Sequence, residues 1–173
     1  MEPTPYYPRL NVHPGDWYIG NKYHSIYTVL GSCVSVTAWH PVLKLGGMCH
    51  FILPELPGGM MDKEKNKAGR YANTALLLLK SAILQHGALV EFQFGLFGGS
   101  DTISHFGIGK KNILVAQQWL DKENLIARQI DVGGTISRSL ILTMSSGIIA
   151  VKRYEMQAIN VLPAITTQKR PKQ

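Results

Sequence analysis

The chain has 173 residues, 45% of them hydrophobic and 17% charged, which fits one soluble domain with a real core. It has no apolar run of about 18 residues, so a helical membrane span is not expected, and its start, Met1 to Pro5, lacks a basic n-region and an apolar h-region, so no secretory leader is expected and the compartment is read as cytoplasmic. The formal charge of +7 would suit an acidic protein surface or nucleic acid, but the chain has no RNP-like aromatic motif, no zinc-finger spacing and no basic stripe with interleaved aromatics, so nucleic acid is a minor reading.

Residues 1–11 hold three prolines and two tyrosines without apolar periodicity and read as a flexible arm. A single domain is expected over residues 12–165. Residues 166–173 read as a basic flexible tail carrying Lys169, Arg170 and Lys172. Asp16 to Gly20 reads as a short strand, with a turn at Asn21 and Lys22.

Residues 25–57 form the centre of the chain. Val34, Val36 and Ala38 alternate with Cys33, Ser35 and Thr37, the period of a half-buried strand. Pro41 suits the second position of a type I turn over His40 to Leu43. An unbulged hairpin closed there sets Cys33 directly across from His50, where opposed Cβ atoms lie about 4.5–5.5 Å apart. A turn centre shifted by one residue leaves the two diagonal on the same face. Gly46 and Gly47 offer a place for a bulge. Cys49 has the opposite parity and reads as a small buried hydrophobe, so the two cysteines are not expected to form a disulfide.

The loop from Pro57 to Ala68 reads as a solvated connector. Arg70 to His86 is the strongest predicted helix, with Ala72, Ala75, Leu76, Leu79, Ala82 and Ile83 on one stripe and Gly87 in the place of a C-cap glycine. Leu89 to Leu96 reads as a strand ending in the glycine loop Phe97 to Asp101. His105, just beyond, reads as a surface-loop histidine. A second helix follows Gly109 and runs through Leu120, with Ile113, Ala116 and Leu120 on one face. Ile126 to Val132 is a further strand closed by Gly133 and Gly134. Ser139 to Met144 and Ile148 to Arg153 form a hairpin around Gly147. Strands outnumber helices, which indicates an α/β fold with a mixed, largely antiparallel sheet.

A cysteine and a histidine on neighbouring strands suggest a thiol nucleophile with its base. The ordinary alternative is a core cysteine beside a hydrogen-bonded histidine. Gly31 and Ser32 favour the catalytic reading, because a glycine there lets a carbonyl approach the amides of Ser32 and Cys33 as an oxyanion hole. Cys49 and His50 alone are too few ligands for zinc.

The stretch Leu30-Gly-Ser-Cys-Val-Ser-Val36 is followed by Gly46-Gly-Met-Cys-His-Phe-Ile-Leu-Pro54. Then come Arg70-Tyr-Ala72, Phe97-Gly-Gly99, Gly107-Ile-Gly-Lys-Lys-Asn112 and Asp131-Val-Gly-Gly134. In order and spacing these motifs resemble the CheD family, the chemoreceptor glutamine deamidases, from about Val12 to Arg153. The resemblance implies a three-layer α/β/α sandwich, shared with the cytotoxic necrotizing factor deamidase toxins. It implies a protein-glutamine glutaminase that hydrolyses glutamine side chains on the cytoplasmic region of methyl-accepting chemotaxis proteins, without metal or cofactor. Cys33 would attack the carboxamide, the amides of Ser32 and Cys33 would hold the oxyanion, and His50 would serve as acid and base through a thioester. Gly31, Ser32, Gly98 and Gly99 would line the substrate slot. A thiolate–imidazolium pair would depress the thiol pKa. A CheC-type phosphatase is an implied partner.

The family's supporting threonine falls six residues before the cysteine, where this chain has Tyr27. Thr28 is one position nearer and faces the other way by strand parity, so it reaches the site only with a bulge near Gly31. Thr28 is preferred for the third role over the Tyr27 hydroxyl. Two alternatives stand beside the deamidase: a regulatory binding module that keeps the fold without catalysis, and a receptor methylesterase.

Overall fold

The computed structural model describes residues 8–55, 69–101 and 106–155. In chain order these residues form β1 (Arg9–Asn11), β2 (Trp17–Gly20), β3 (Ser25–Leu30), β4 (Val34–His40), β5 (Leu45–Phe51), α1 (Ala72–Leu84), β6 (Gln93–Gly98), α2 (Ile108–Lys122), β7 (Ala127–Val132), β8 (Ile136–Thr143) and β9 (Ile148–Glu155). The strands make two sheets. One has the order β1-β3-β8-β9 and the other β2-β5-β4-β6-β7. β1 pairs with β3, and β6 with β7, in parallel; the other pairings are antiparallel. The α/β class and the mixed, largely antiparallel pairing agree with the sequence reading.

The layering differs from the expected α/β/α sandwich. Val34, Val36 and Ala38 of β4 pack with Ala75, Leu76 and Leu79 of α1 and with Ala116 and Leu120 of α2 in one core cluster. Both helices therefore cover the same face of the five-stranded sheet. Its other face meets the four-stranded sheet through Trp39, Met48, Ile26 and Leu142, and through Phe97, Leu30 and Leu140. Among the described residues the third layer is a second sheet. β4 lies in the middle layer, so all seven of its residues are buried rather than every other one. The polar alternation at Ser35 and Thr37 made it read as half-buried, but that side faces a second core.

Three boundaries also depart from expectation. Arg9 to Asn11, expected within a flexible arm, pair with Ser25 to Tyr27, because the edge of β3 offers free backbone groups. α1 ends at Leu84 with Gln85 as its cap in ordinary helical geometry, so Gly87 is not its C-cap glycine. β6 starts only at Gln93, because Leu89–Glu91 form a 3-10 turn in which the Glu91 carboxylate accepts the Ala88 amide at 2.6 Å. The loop 57–68, His105 and the tail 166–173 lie outside the described residues. Among the described residues no helix is long and apolar enough to cross a membrane.

The hairpin that carries Cys33 and His50 closes with four loop residues, not two. His40 pairs with Leu45, and Lys44 adopts a positive φ of 53° and donates its amide to the His40 carbonyl at 2.9 Å. The His40 ring stabilises this wider loop, since Nδ1 accepts the amides of Val42 and Leu43, each at 3.2 Å. The register runs without a break, so Gly46 and Gly47 form no bulge. They permit close strand approach instead: a Cβ on Gly46 would lie 2.2 Å from the Ala38 carbonyl oxygen.

Candidate active site

The wider loop moves the pairing by one step. His50 stands opposite Ser35, and Cys33 lies one pleat farther along, just before β4 begins. Diagonal neighbours on one face of an antiparallel pair are about 7–8 Å apart, a span that a histidine ring can cross. Cys33 packs against Leu30, Phe97 and Leu140, in the space between the sheets. His50 is buried beside Met48 on that same face of β5. Cys49 points to the helices, fully buried, with its Sγ 3.9 Å from the Val36 carbonyl. Burial pushes its thiol up to about 12. The parity reading of the two cysteines therefore agrees with the structure.

Thr28 comes from the other sheet. On β3 the inward residues are Ile26, Thr28 and Leu30. Thr28 faces inward without any bulge, because β3 keeps an unbroken register with β8. Tyr27 faces outward and carries the Arg9 guanidinium over its ring at 4.6 Å. The threonine hydroxyl donates to the Val12 carbonyl at 2.7 Å and lies 2.8 Å from His50 Nδ1. These two contacts determine the proton's place. A hydroxyl that donates to a carbonyl can only accept from the ring, so Nδ1 carries the hydrogen and Nε2 presents a lone pair. Nε2 is buried and has no hydrogen-bond partner among the described residues. The His50 backbone is held as well, its amide donating to Asp16 at 3.0 Å and its carbonyl accepting from Gly15 at 2.8 Å.

Burial dominates the electrostatics of both groups. It pushes the Cys33 thiol up from its ordinary range, only partly opposed by the residue's own amide. It pulls His50 down to about 4, against smaller upward effects of the Val12 carbonyl and the Asp16 charge. Both shifts run against the expected thiolate–imidazolium pair, because the low-dielectric gap between two sheets disfavours each charged form.

The glycine loop does not line an open slot. Gly98 and Gly99 are buried under the cysteine loop. The Gly99 amide donates to the Cys33 carbonyl at 2.8 Å, and the Ser100 amide to the Gly31 carbonyl at 2.9 Å. Gly98 has φ of 101°, and a Cβ there would sit 2.2 Å from the Cys33 carbonyl oxygen. These residues fasten the backbone of Gly31 and Cys33 from below. Gly31, Ser32 and Cys33 are only half-buried, and among the described residues a Cβ on Gly31 would meet nothing within 4 Å. Among the described residues the Ser32 and Cys33 amides donate no backbone hydrogen bond. The arrangement can supply a nucleophile, a base with one oriented lone pair, and two amides that donate to no other backbone among the described residues.

Two contributors were not found from the sequence. The Val12 carbonyl left no trace there, since any residue supplies one. Asn112 on α2 is completely buried and donates Nδ2 to the Ser32 carbonyl at 3.0 Å and to the Ile52 carbonyl at 2.8 Å. An asparagine on the core-facing stripe of a helix was a usable signal.

Comparison with known proteins gives concordant matches. The family described as CheD chemotactic sensory transduction matches residues 52–153. A Chromobacterium violaceum protein named "Probable chemoreceptor glutamine deamidase CheD 1" is 35% identical over 166 residues, covering 91% of this chain and 84% of that one. A Geobacter sulfurreducens protein named "Probable chemoreceptor glutamine deamidase CheD 2" is 32% identical, covering 86% and 92% of the two chains. A similarly named Vibrio vulnificus protein is 34% identical, covering 88% and 75%.

Proposed function

The chain belongs to the CheD family, and from that premise we propose that it is a chemoreceptor glutamine deamidase with Cys33 as nucleophile, His50 as acid and base, and Thr28 as the residue that orients His50. The observation that carries this reading is the chain from Val12 through Thr28 to His50, which leaves a buried Nε2 lone pair unpartnered on the face that Cys33 shares. A buried unpaired nitrogen costs about 1–3 kcal/mol. A base waiting for a thiol proton accounts for that cost.

The chemistry starts from a neutral resting pair, the state that both shifts favour. His50 Nε2 takes the thiol proton as Cys33 Sγ attacks the glutamine carboxamide carbon. The proton moves as the carbon–sulfur bond forms, because neither ion is stable alone in this gap. The amides of Ser32 and Cys33 hold the oxyanion. The imidazolium returns its proton to the departing ammonia, leaving a thioester. His50 then deprotonates water, which attacks the thioester, and the thiol is restored with a glutamate in the substrate.

The proposed substrate class is the cytoplasmic helical region of chemoreceptors, and the proposed compartment is accordingly the cytoplasm. A CheC-type phosphatase is a second proposed partner, tested by co-elution of the two purified proteins. Mass spectrometry of receptor fragments after incubation tests the activity itself. Deamidation adds about one dalton per site, methylesterase action removes a methylene's mass, and a pure binding module changes nothing. We expect the first result, abolished in Cys33→Ala. Either other result overturns the proposal.

A further inference from the structure

We propose that Asn112 is a positioning residue that sets the separation between Cys33 and His50, an inference that rests on the reading of those two as the catalytic pair. β4 and β5 part beside these two residues. Their ladder stops at Val34 opposite Phe51. Beyond it the amides of Ile52 and Leu53 turn to the Arg70 carbonyl, at 2.8 and 3.0 Å. On the other side, Gly31 and Cys33 are tied through their carbonyls to the glycine loop. The carbonyls of Ser32 and Ile52 face the gap between the diverging chains, and the carboxamide of Asn112 spans it by donating to both.

One of these carbonyls is a residue away from Cys33 and the other is two residues from His50. A change in the width of this gap therefore moves the thiol relative to the imidazole. The chemistry also limits which side chain can serve. Two acceptors need a double donor on a short, stiff stem. An aspartate would present oxygens to both carbonyls, and a leucine would leave both unpaired.

The helix that carries Asn112 is seated firmly on the same structure. A Cβ on Gly109, one turn earlier, would lie 2.5 Å from the Gly99 carbonyl oxygen, so α2 packs directly on the loop beneath Cys33. The Gly109 amide donates to the Asp101 carboxylate at 3.2 Å. Asn112 Oδ1 remains buried without a partner among the described residues. An apolar residue would fill this core position without that desolvation cost, which indicates that the two donated bonds are what the position needs.

The test uses Asn112→Asp, Asn112→Ala and Asn112→Gln, with Leu120→Ala as a packing control on the same helix. Each full-length protein is assayed for melting temperature, for kcat and KM on a receptor fragment, and for the pH profile of Cys33 alkylation by iodoacetamide, read by peptide mass mapping. We expect Asn112→Asp and Asn112→Ala to lower kcat by about tenfold to a hundredfold, as misplacement of the order of 1 Å does, with KM changed less than about twofold. Alkylation at neutral pH should change several-fold and its midpoint should move, with Asn112→Gln in between. Leu120→Ala should lose comparable thermal stability with kcat and the alkylation profile unchanged. If the Asn112 variants depart from wild type no more than Leu120→Ala does, the proposal is overturned. The alkylation profile needs no receptor, so it decides the positioning role even if the wild-type protein proves not to deamidate; should Asn112→Asp fail to fold, Asn112→Ala and Asn112→Gln decide it.

Discussion

Replacing Thr28 with valine keeps the side-chain shape and removes only the hydroxyl, which isolates the orienting role. Two buried groups lose their best partner: the Val12 carbonyl loses a donor at 2.7 Å, and His50 Nδ1–H loses an acceptor at 2.8 Å. The ring can fall back on the Val12 carbonyl, which lies 3.4 Å from Nδ1. With unmet buried groups costing about 1–3 kcal/mol each and this fallback relieving part of it, the net loss should be about 2 kcal/mol. For a chain of this size that lowers the melting temperature by roughly 4–8 °C. The catalytic effect is separate. Without the hydroxyl the imidazole can rotate or carry its hydrogen on Nε2, where it cannot accept the thiol proton. A loss of about 1.4–2.7 kcal/mol in orientation corresponds to a tenfold to hundredfold lower kcat. Deamidation of a receptor fragment, followed by mass spectrometry at saturating substrate, measures it. Tyr27→Phe is the paired control, since the tyrosine lies on the outer face of β3 and should stay within about twofold of wild type. Thr28 does not orient His50 if Thr28→Val is as fast as wild type, or if Tyr27→Phe is the slower of the two.

Further outcomes are expected from the same structure. Cys49→Ala should cost about 1 kcal/mol of stability and retain most activity, because its thiol is buried against the helices; a folded but inactive Cys49→Ala would overturn the assignment of Cys33 as nucleophile. His50 titrates at about 4 in the folded chain against 6.5 ordinarily, so the unfolded chain binds the extra proton between those values and stability falls as pH drops through that window. The effect is worth roughly 3 kcal/mol, and chemical denaturation of His50→Gln over the same range should show a correspondingly flatter pH dependence than wild type. Deleting residues 166–173 removes Lys169, Arg170 and Lys172 from a chain of net charge +7. Stopped-flow binding should then show slower association with an acidic receptor fragment and a weaker salt dependence, with turnover at saturation unchanged.

Local pattern alone determined much of this protein. Period-2 alternation placed Cys33 and Cys49 on opposite faces, and the helical stripe of α1 named its buried residues, because side-chain direction within one element follows from backbone geometry over a few residues. The open space beside Gly31 agrees with the reading of a glycine that leaves its neighbouring amides approachable. Tertiary structure decided the rest. The hairpin register depended on how the His40 ring satisfied two loop amides. Thr28 meets His50 because two different sheets press together at that point, and no spacing within β3 records which strand lies across the gap. That same closure buries His50 and part of Cys33, which shifts the imidazole down and the thiol up where the sequence suggested an ion pair. Asn112 reaches the site from a helix about sixty residues beyond His50, since buried carbonyls demand donors wherever the fold can bring one.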